Sequence, residues 1–88
     1  MKENHLLNSE IPLDLYRIFY YVAEELSFSK AAARLYVSQS AVSQAIASLE
    51  NQLATVLFHR STKKVSLSQE GITLFSYLEP AFHLIDSA

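Results

Sequence analysis

The chain has 88 residues and a mass of 9.9 kDa, which is the size of one small domain. Half of the residues are hydrophobic and 18% are charged, so intrinsic disorder along the main body is excluded. No apolar run approaches the roughly 18 residues of a membrane-spanning helix, and no secretory signal pattern is present. The absence of cysteine excludes disulfides, a thiolate zinc site and a catalytic thiol. We therefore expect a single soluble, cytoplasmic domain.

The net charge of −2 hides an uneven distribution along the chain. Residues 26–69 carry five Lys and Arg against one Glu, which gives +4, whereas residues 1–25 and 70–88 each carry −3. Binding to phosphates depends on the field at the contact surface and not on the total charge. A nucleic-acid partner is therefore compatible with this acidic chain.

The first half of the chain predicts a leader and two helices. Residues 1–12 are polar and aperiodic, which favours a mobile or loosely packed leader. From Asp14 the apolar residues recur at helical spacing, and this predicts a first helix over about 14–25. Ser27-Phe28-Ser29 offers hydroxyl caps for a short second helix that ends near Tyr36.

The second half predicts a longer helix, a hairpin and a final helix. Ser38 can cap a third helix that continues through Leu53, with Val42, Ile46 and Leu49 on its inward stripe. Residues 56–60 and 64–68 then alternate with a period of two around a polar turn, which predicts a β-hairpin. Ser68 can cap the final helix. The predicted core combines residues from these elements: Phe19, Val22, Leu35, Val42, Ile46, Leu49 and Phe58.

This element order predicts a mainly α-helical winged helix-turn-helix: three helices, a β-hairpin wing and a fourth linker or dimerisation helix. We place the DNA-binding domain at 13–68 and the linker helix at 69–88. The second helix of such a motif enters the major groove, while the wing reaches the flanking backbone or minor groove. Small and amide side chains at the start of that helix suit base readout, and residues 38–44 supply them.

Four stretches make the chain resemble the LysR-type transcriptional regulators. They are residues 19–43, which include the run Ser38-Gln39-Ser40-Ala41-Val42-Ser43, then Leu49-Glu50, Leu57-Phe58-His59-Arg60, and residues 65–71. The resemblance covers about residues 14–88. It implies a bacterial DNA-binding domain that forms a homodimer through its linker helix and binds a palindromic operator. It also implies that a separate effector-binding domain, which receives a small-molecule inducer and supports higher oligomers, lies outside this chain.

Most of the candidate DNA contacts lie at the start of the third helix and on the wing. The resemblance implies contacts from Gln39, Ser40, Ser43 and Gln44, and from Lys63 with Arg60 beside it. The charge and position of neighbouring residues add Lys30, Ser38 and Lys64. The family often has glycine where this chain has Leu26, Ala54 and Thr62, and each would cost about 1 kcal/mol if the backbone there needs a positive φ. Gln44 replaces a common arginine, which removes one bidentate contact.

Several of these residues allow a second interpretation. Arg60 could pair with Glu50 and brace the wing, and Arg34 could pair within the protein. The polar residues of the third helix could form an ordinary solvated face, and Lys63 and Lys64 could serve solubility alone. The tyrosines at 16, 20 and 21 suit the core and a dimer surface better than a base-stacking platform.

Other classes of function fit the sequence less well. His5, His59 and His83 lack metal-ligand spacing, and no catalytic triad, carboxylate pair or phosphate-binding loop is present, so we expect no enzyme, metal or cofactor. The main alternative is a winged helix that binds only other proteins. An apolar residue at position 39, 40, 43 or 44 would favour it, and all four are polar. RNA binding is disfavoured because no aromatic strand platform is present.

The final helix carries a candidate dimer surface. Leu74, Leu78, Ala81 and Ile85 fall at four-, three- and four-residue intervals along one seam, with Phe82 beside it. This stripe is wide for so small a body, and an exposed apolar stripe usually marks a partner surface. The alternative is that the stripe packs back on α1 through Tyr20 and Tyr21, and we expect part of it to do so. Two recognition helices about one helical turn of DNA apart, ~34 Å, would read a palindrome. We expect Pro80 to bend this helix.

Overall fold

The computed structural model describes residues 5–87 and contains four helices and one hairpin in the predicted order. The elements are α1 (Leu13–Glu25), α2 (Phe28–Leu35), α3 (Gln39–Leu53), β1 (Phe58–Arg60), β2 (Val65–Leu67) and α4 (Gln69–Ser87). This is the architecture of a winged helix-turn-helix. No helix within residues 5–87 combines the length and the hydropathy that crossing a membrane requires.

The helix-turn-helix begins at the predicted serine caps. The Ser27 hydroxyl accepts a hydrogen bond from the Lys30 amide at 3.1 Å, and the Ser38 hydroxyl accepts one from the Ala41 amide at 3.0 Å. Each bond satisfies a donor that the first helical turn leaves without a partner. These caps fix where α2 and α3 begin.

Three of the helices end at residues in the left-handed region. Leu26, Tyr36 and Ala54 follow α1, α2 and α3 with φ of 49°, 58° and 52°. Leu26 and Ala54 are two of the three positions at which the LysR-type regulators often have glycine. Thr62 was the third and does not have a positive φ, so the turn of the wing does not need glycine at that position.

The core lies between the four helices and the start of the wing. Six of the seven predicted core residues are buried, and Leu35 is half-buried at the edge of the cluster. Leu57 is fully buried although the alternating pattern did not assign it to the core. Leu57 and Phe58 are consecutive and both buried, so the alternating pattern does not extend to Leu57, and β1 begins at Phe58.

The wing is an antiparallel pair in which Phe58 lies opposite Leu67 and Arg60 lies opposite Val65. One oxygen of the Glu50 carboxylate accepts hydrogen bonds from the backbone amides of Leu57 at 2.7 Å and of Phe58 at 3.2 Å. Two otherwise unsatisfied donors are paired in this way. The end of α3 therefore holds the entry to the wing.

Helix α4 begins at the predicted cap, since the Ser68 hydroxyl accepts a hydrogen bond from the Gly71 amide at 2.9 Å. The same hydroxyl donates to the carbonyl of Val56 at 2.7 Å and ties the helix to the wing. The helix then runs through Pro80 to Ser87.

The predicted seam along α4 is divided between the core and the surface. Leu74, Leu78 and Phe82 are buried within the single chain, which is the alternative in which part of the stripe packs on α1. The physical reason is that α1 covers them: the Tyr20 ring packs against Phe82 at 5.3 Å between centroids. Ala81 and Ile85 are exposed and remain available.

The leader packs more closely than predicted where the structure describes it, which is residues 5–12. Leu6 and Ile11 are buried. The Tyr16 hydroxyl donates to the Leu6 carbonyl at 2.7 Å and accepts from the Asn8 amide at 3.0 Å, and burial raises the pKa of this tyrosine. The prediction of a loosely packed leader is wrong for these residues because two apolar side chains in the polar segment reach the core. Residues 1–4 lie outside the described part.

Candidate nucleic-acid interface

The first turns of α3 carry an exposed polar face opposite the buried stripe. Gln39, Ser40 and Gln44 are exposed and Ser43 is half-buried, whereas the core side of the same turns holds Val42. This division follows from the helical period of 3.6 residues. Gln39, Ser40, Ser43 and Gln44 are therefore placed where a ligand could reach them.

Ser38 differs from the four residues that follow it. Its hydroxyl accepts from the Ala41 amide and lies 3.4 Å from the Ser40 hydroxyl. A hydroxyl has one donor and two acceptor sites, so the cap leaves Ser38 only part of its hydrogen-bonding capacity. Its principal structural role is to begin α3.

A groove of about 480 Å³ joins the start of α2, the start of α3 and the wing. It brings together five of the nine candidate DNA contacts from three segments of the chain: Lys30, Gln39, Arg60, Lys63 and Lys64. All five are exposed. The remaining four candidates, Ser38, Ser40, Ser43 and Gln44, lie along α3 and do not line the groove.

The groove has a positive electrostatic character. Four of its lining residues are cations, and its carboxylate, Glu25, lies 3.1 Å from the Arg34 guanidinium, which reduces its influence on the groove. Lys63 and Lys64 lie in the turn between β1 and β2. The Ser61 amide donates to the Lys64 carbonyl at 2.8 Å and closes this turn. Such a concave cluster of like charge attracts polyanions.

The structure decides between the two interpretations of the arginines. Arg34 pairs with Glu24 at 2.9 Å and with Glu25, and the hydrogen bond that its guanidinium donates to Glu24 raises the pKa of Arg34. Arg60 does not pair with Glu50, whose carboxylate accepts from the wing backbone instead. Arg34 therefore acts within the protein, whereas Arg60 faces the groove.

Sequence reasoning missed several residues that line the groove or adjoin it. Ser27, Ser29, Ser61 and Thr62 line the groove, and the cap pattern at Ser27 and Ser29 was the signal that could have placed them there. At the turn between α2 and α3, Tyr36 is 94% exposed. Its position in a left-handed turn directs the side chain outward, which no periodic pattern reveals.

The surface shows no arrangement typical of metal chemistry. Across residues 5–87, no three His, Asp or Glu side chains come together in a way that could hold a metal ion. The three histidines of the sequence lie on different elements or segments: His5 in the leader, His59 on β1 and His83 on α4.

The fold and the exposed face of α3 define a winged helix-turn-helix domain. The family model for bacterial regulatory helix-turn-helix proteins of the lysR family matches residues 13–72. The chain therefore belongs to the LysR family, and it is a LysR-type helix-turn-helix domain.

Curated relatives and solved structures agree with this assignment. The chain is 41% identical over 81 residues to the transcriptional activator AmpR of Citrobacter koseri, which covers 92% of this chain and 28% of AmpR. It is 47% identical over 70 residues to the regulator PgrR of Escherichia coli K12, covering 80% of this chain and 23% of PgrR. The chain thus spans about a quarter of the length of these relatives.

Among solved structures, the chain resembles the DNA-binding domain of BenM in complex with catB site 1 DNA. The TM-score is 0.82 at 32% identity, covering 88% of this chain and 86% of that one. It also resembles full-length CbnR in complex with its target DNA, with a TM-score of 0.78 at 27% identity, covering 88% of this chain and 27% of CbnR.

Proposed function

We propose that this chain binds double-stranded DNA in a sequence-specific manner, as the DNA-binding domain of a transcriptional regulator. The observation that carries the proposal is the groove, in which cations of α2 and the wing flank the exposed start of α3. The DNA complexes of BenM and CbnR support it because their chains share this fold. The fit of a helix to the major groove supplies the physical reason.

The two sides of the surface have different roles in this proposal. Gln39, Ser40, Ser43 and Gln44 of α3 meet base edges in the major groove, where amides and hydroxyls can distinguish base pairs. Lys30, Arg60, Lys63 and Lys64 meet backbone phosphates on either side, which supplies affinity without sequence preference. Ser38 contributes chiefly by fixing the start of α3.

Selection of binding sites from a random duplex library, followed by competition assays, tests this division. We expect Gln39→Ala and Ser43→Ala each to weaken binding to the selected site by about 1–3 kcal/mol and to relax preference at particular bases. Lys63→Ala should weaken binding to all sequences similarly and reduce the salt slope by about one. Gln52→Ala is the matched control, since this exposed glutamine lies at the far end of α3.

The same assays distinguish DNA binding from a protein-association role. A winged helix that binds only proteins would show no salt-dependent retention on heparin or on unrelated duplex DNA. An unchanged site preference in Gln39→Ala would contradict base readout from the start of α3, even if the chain binds DNA.

We also propose that the chain forms a homodimer through the surface part of α4. Ala81, Leu84 and Ile85 are exposed there, and Leu84 is 74% exposed. Ala81 and Ile85 lie on the same side of α4 as Leu78. Leu78 and Leu13 both line an apolar groove of about 600 Å³. A two-fold pair of such surfaces would place two α3 helices on a palindromic site.

The alignments cover only about a quarter of each relative, which supports a proposal about the rest of the protein. Because the aligned region is 28% of AmpR and 23% of PgrR, we propose that this domain acts together with an effector-binding domain. A small-molecule inducer would bind that second domain and not this one, and higher oligomers would form through it.

A further inference from the structure

All three arginines of the chain stack on an aromatic ring. The guanidinium carbon of Arg17 lies 4.5 Å from the centroid of Phe82, that of Arg34 lies 4.2 Å from Tyr21, and that of Arg60 lies 4.1 Å from Phe28. A guanidinium that stacks through its face keeps its N–H groups in the plane, directed outward. Stacking therefore orients these donors without consuming them.

The three arginines differ in what receives their donors. Arg17 donates to both oxygens of Asp86 at 3.2 Å, and Arg34 donates to Glu24 and Glu25. Within residues 5–87, no carboxylate lies within ion-pair distance of Arg60. Arg60 thus lies over a ring as the other two do, but no carboxylate of the described residues pairs with it.

The ring beneath Arg60 is anchored in the core. Phe28 is 6% exposed and is the first residue of α2. Its ring meets that of Phe58 edge-on with centroids 5.8 Å apart, and Phe58 packs on the fully buried Phe19 at 5.3 Å. Because Phe28 belongs to α2 and Arg60 to β1, the stack connects the helix-turn-helix to the wing.

We propose that Phe28 is a positioning residue that holds Arg60 toward a backbone phosphate of duplex DNA. The inference rests on the proposed function, since it names how one cation of that surface is oriented. Planar guanidinium donors match phosphate oxygens in a bidentate way, which an ammonium group cannot do. Prior orientation lowers the side-chain entropy lost when the phosphate binds.

The test is a double-mutant cycle measured by fluorescence anisotropy with a mixed-sequence duplex of about two helical turns, ~20 base pairs. Phe28→Leu should weaken binding about two- to fivefold, the range expected from an exposed cation–ring contact. In an Arg60→Ala background, Phe28→Leu should cause no additional loss. Tyr21→Leu is the matched control because it removes the ring beneath Arg34, whose charge is already paired with Glu24 and Glu25. The affinity of this variant for the duplex should equal that of the wild type.

Two further measurements separate positioning from a purely structural role. Arg60→Lys alters only an exposed side chain, and we expect it to lose as much affinity as Phe28→Leu. In nuclear magnetic resonance spectra, the ring of Phe28 should shift the Arg60 Nε–H proton upfield, and Phe28→Leu should remove that shift while leaving the corresponding shift of Arg34.

Several outcomes would overturn the inference. Wild-type affinity in folded Phe28→Leu, or an equal loss in the Arg60→Ala background, would show that the ring does not act through Arg60. If Phe28→Leu fails to fold, wild-type affinity in Arg60→Lys has the same meaning. Failure of the wild-type chain to bind any duplex would instead contradict the proposed function, and the resonance shift would then still show whether Phe28 orients Arg60.

Discussion

At the scale of single residues, backbone strain is found at three helix ends that have a positive φ without glycine. A residue with a side chain in the left-handed region is disfavoured by about 1–2 kcal/mol. This conformation occurs at Leu26, Tyr36 and Ala54, and the backbone amide of each still donates to a carbonyl of the preceding helix. The turns are therefore determined by the packing of the helices and not by local preference.

We predict that Ala54→Gly stabilises the domain by about 0.5–1 kcal/mol, because glycine removes the strain at φ 52° and part of that gain is lost to a more flexible unfolded chain. Thermal unfolding followed by circular dichroism measures the change. Ala47→Gly is the control: the same substitution at an exposed position inside α3 should destabilise the domain by about 0.5–1 kcal/mol. Equal effects of the two substitutions would contradict the explanation.

The sequence could predict two of these three positions. The resemblance to the LysR-type regulators points to glycine at Leu26 and Ala54, because a family that places glycine at a helix end signals a positive φ. It gives no such signal at Tyr36, where the left-handed backbone is apparent only in the structure. Backbone conformation at a turn depends on the helices on both sides, so a single sequence reveals it only in part.

At the scale of elements, the wing and α4 pack tightly where they join. Gly71 lies against the backbone of Leu57: a methyl group on Gly71 would overlap the Leu57 carbonyl oxygen and approach the Leu67 side chain at 2.9 Å. The Ser68 amide also donates to that Leu57 carbonyl at 2.9 Å. The first turn of α4 therefore sets the distance between the helix and the wing.

Gly71→Ala should destabilise the domain by about 1–3 kcal/mol, because the methyl group forces the backbone of Leu57 to move. Helix propensity predicts the opposite sign, since alanine is favoured over glycine inside a helix by about 1 kcal/mol. Chemical denaturation measures the free energy of unfolding. Glu79→Ala, on the exposed side of the same helix, should change it by less than about 0.5 kcal/mol, and a stabilised Gly71→Ala variant would contradict the crowding.

The elements themselves were largely predictable, and their faces were less so. Serine caps and a 3.6-residue period act within one segment, so the sequence predicts α2, α3 and the start of α4 correctly. The inward direction of Leu57 and the burial of Leu78 depend on neighbours far along the chain. For the same reason, the sequence identified Arg60 and Arg34 as cations but could not show that Glu24 and Glu25 neutralise only Arg34.

At the scale of the whole molecule, charge and apolar surface lie at different places. The cations collect in the groove between α2, α3 and the wing. Three exposed apolar residues of α4, Ala81, Leu84 and Ile85, lie on its last two turns, where the Arg17–Asp86 pair joins the helix to α1. This separation would let the domain bind DNA and a second copy at the same time.

We predict that Ile85→Glu converts a wild-type dimer into a monomer in sedimentation equilibrium, because it places a charge on the exposed apolar surface of α4. Ile72→Glu is the matched control: Ile72 is 52% exposed and Ile85 49%, but Ile72 lies at the other end of the helix. That control should remain dimeric. A wild-type chain that stays monomeric at high micromolar concentration would contradict the proposed dimer, as would a dimer that survives Ile85→Glu.

The packing of the leader changes where the boundary of the folded unit should be drawn. The family match begins at residue 13, yet Leu6 and Ile11 contribute to the same core as α1, and the hydroxyl of Tyr16 bonds to the backbone on both sides of Leu7. A protein that begins at residue 13 would expose part of that core. The Tyr16 hydroxyl would lose both of its hydrogen-bond partners, the Leu6 carbonyl and the Asn8 amide. Expression designs and domain swaps among relatives should therefore treat residues 5–12 as an integral part of the domain.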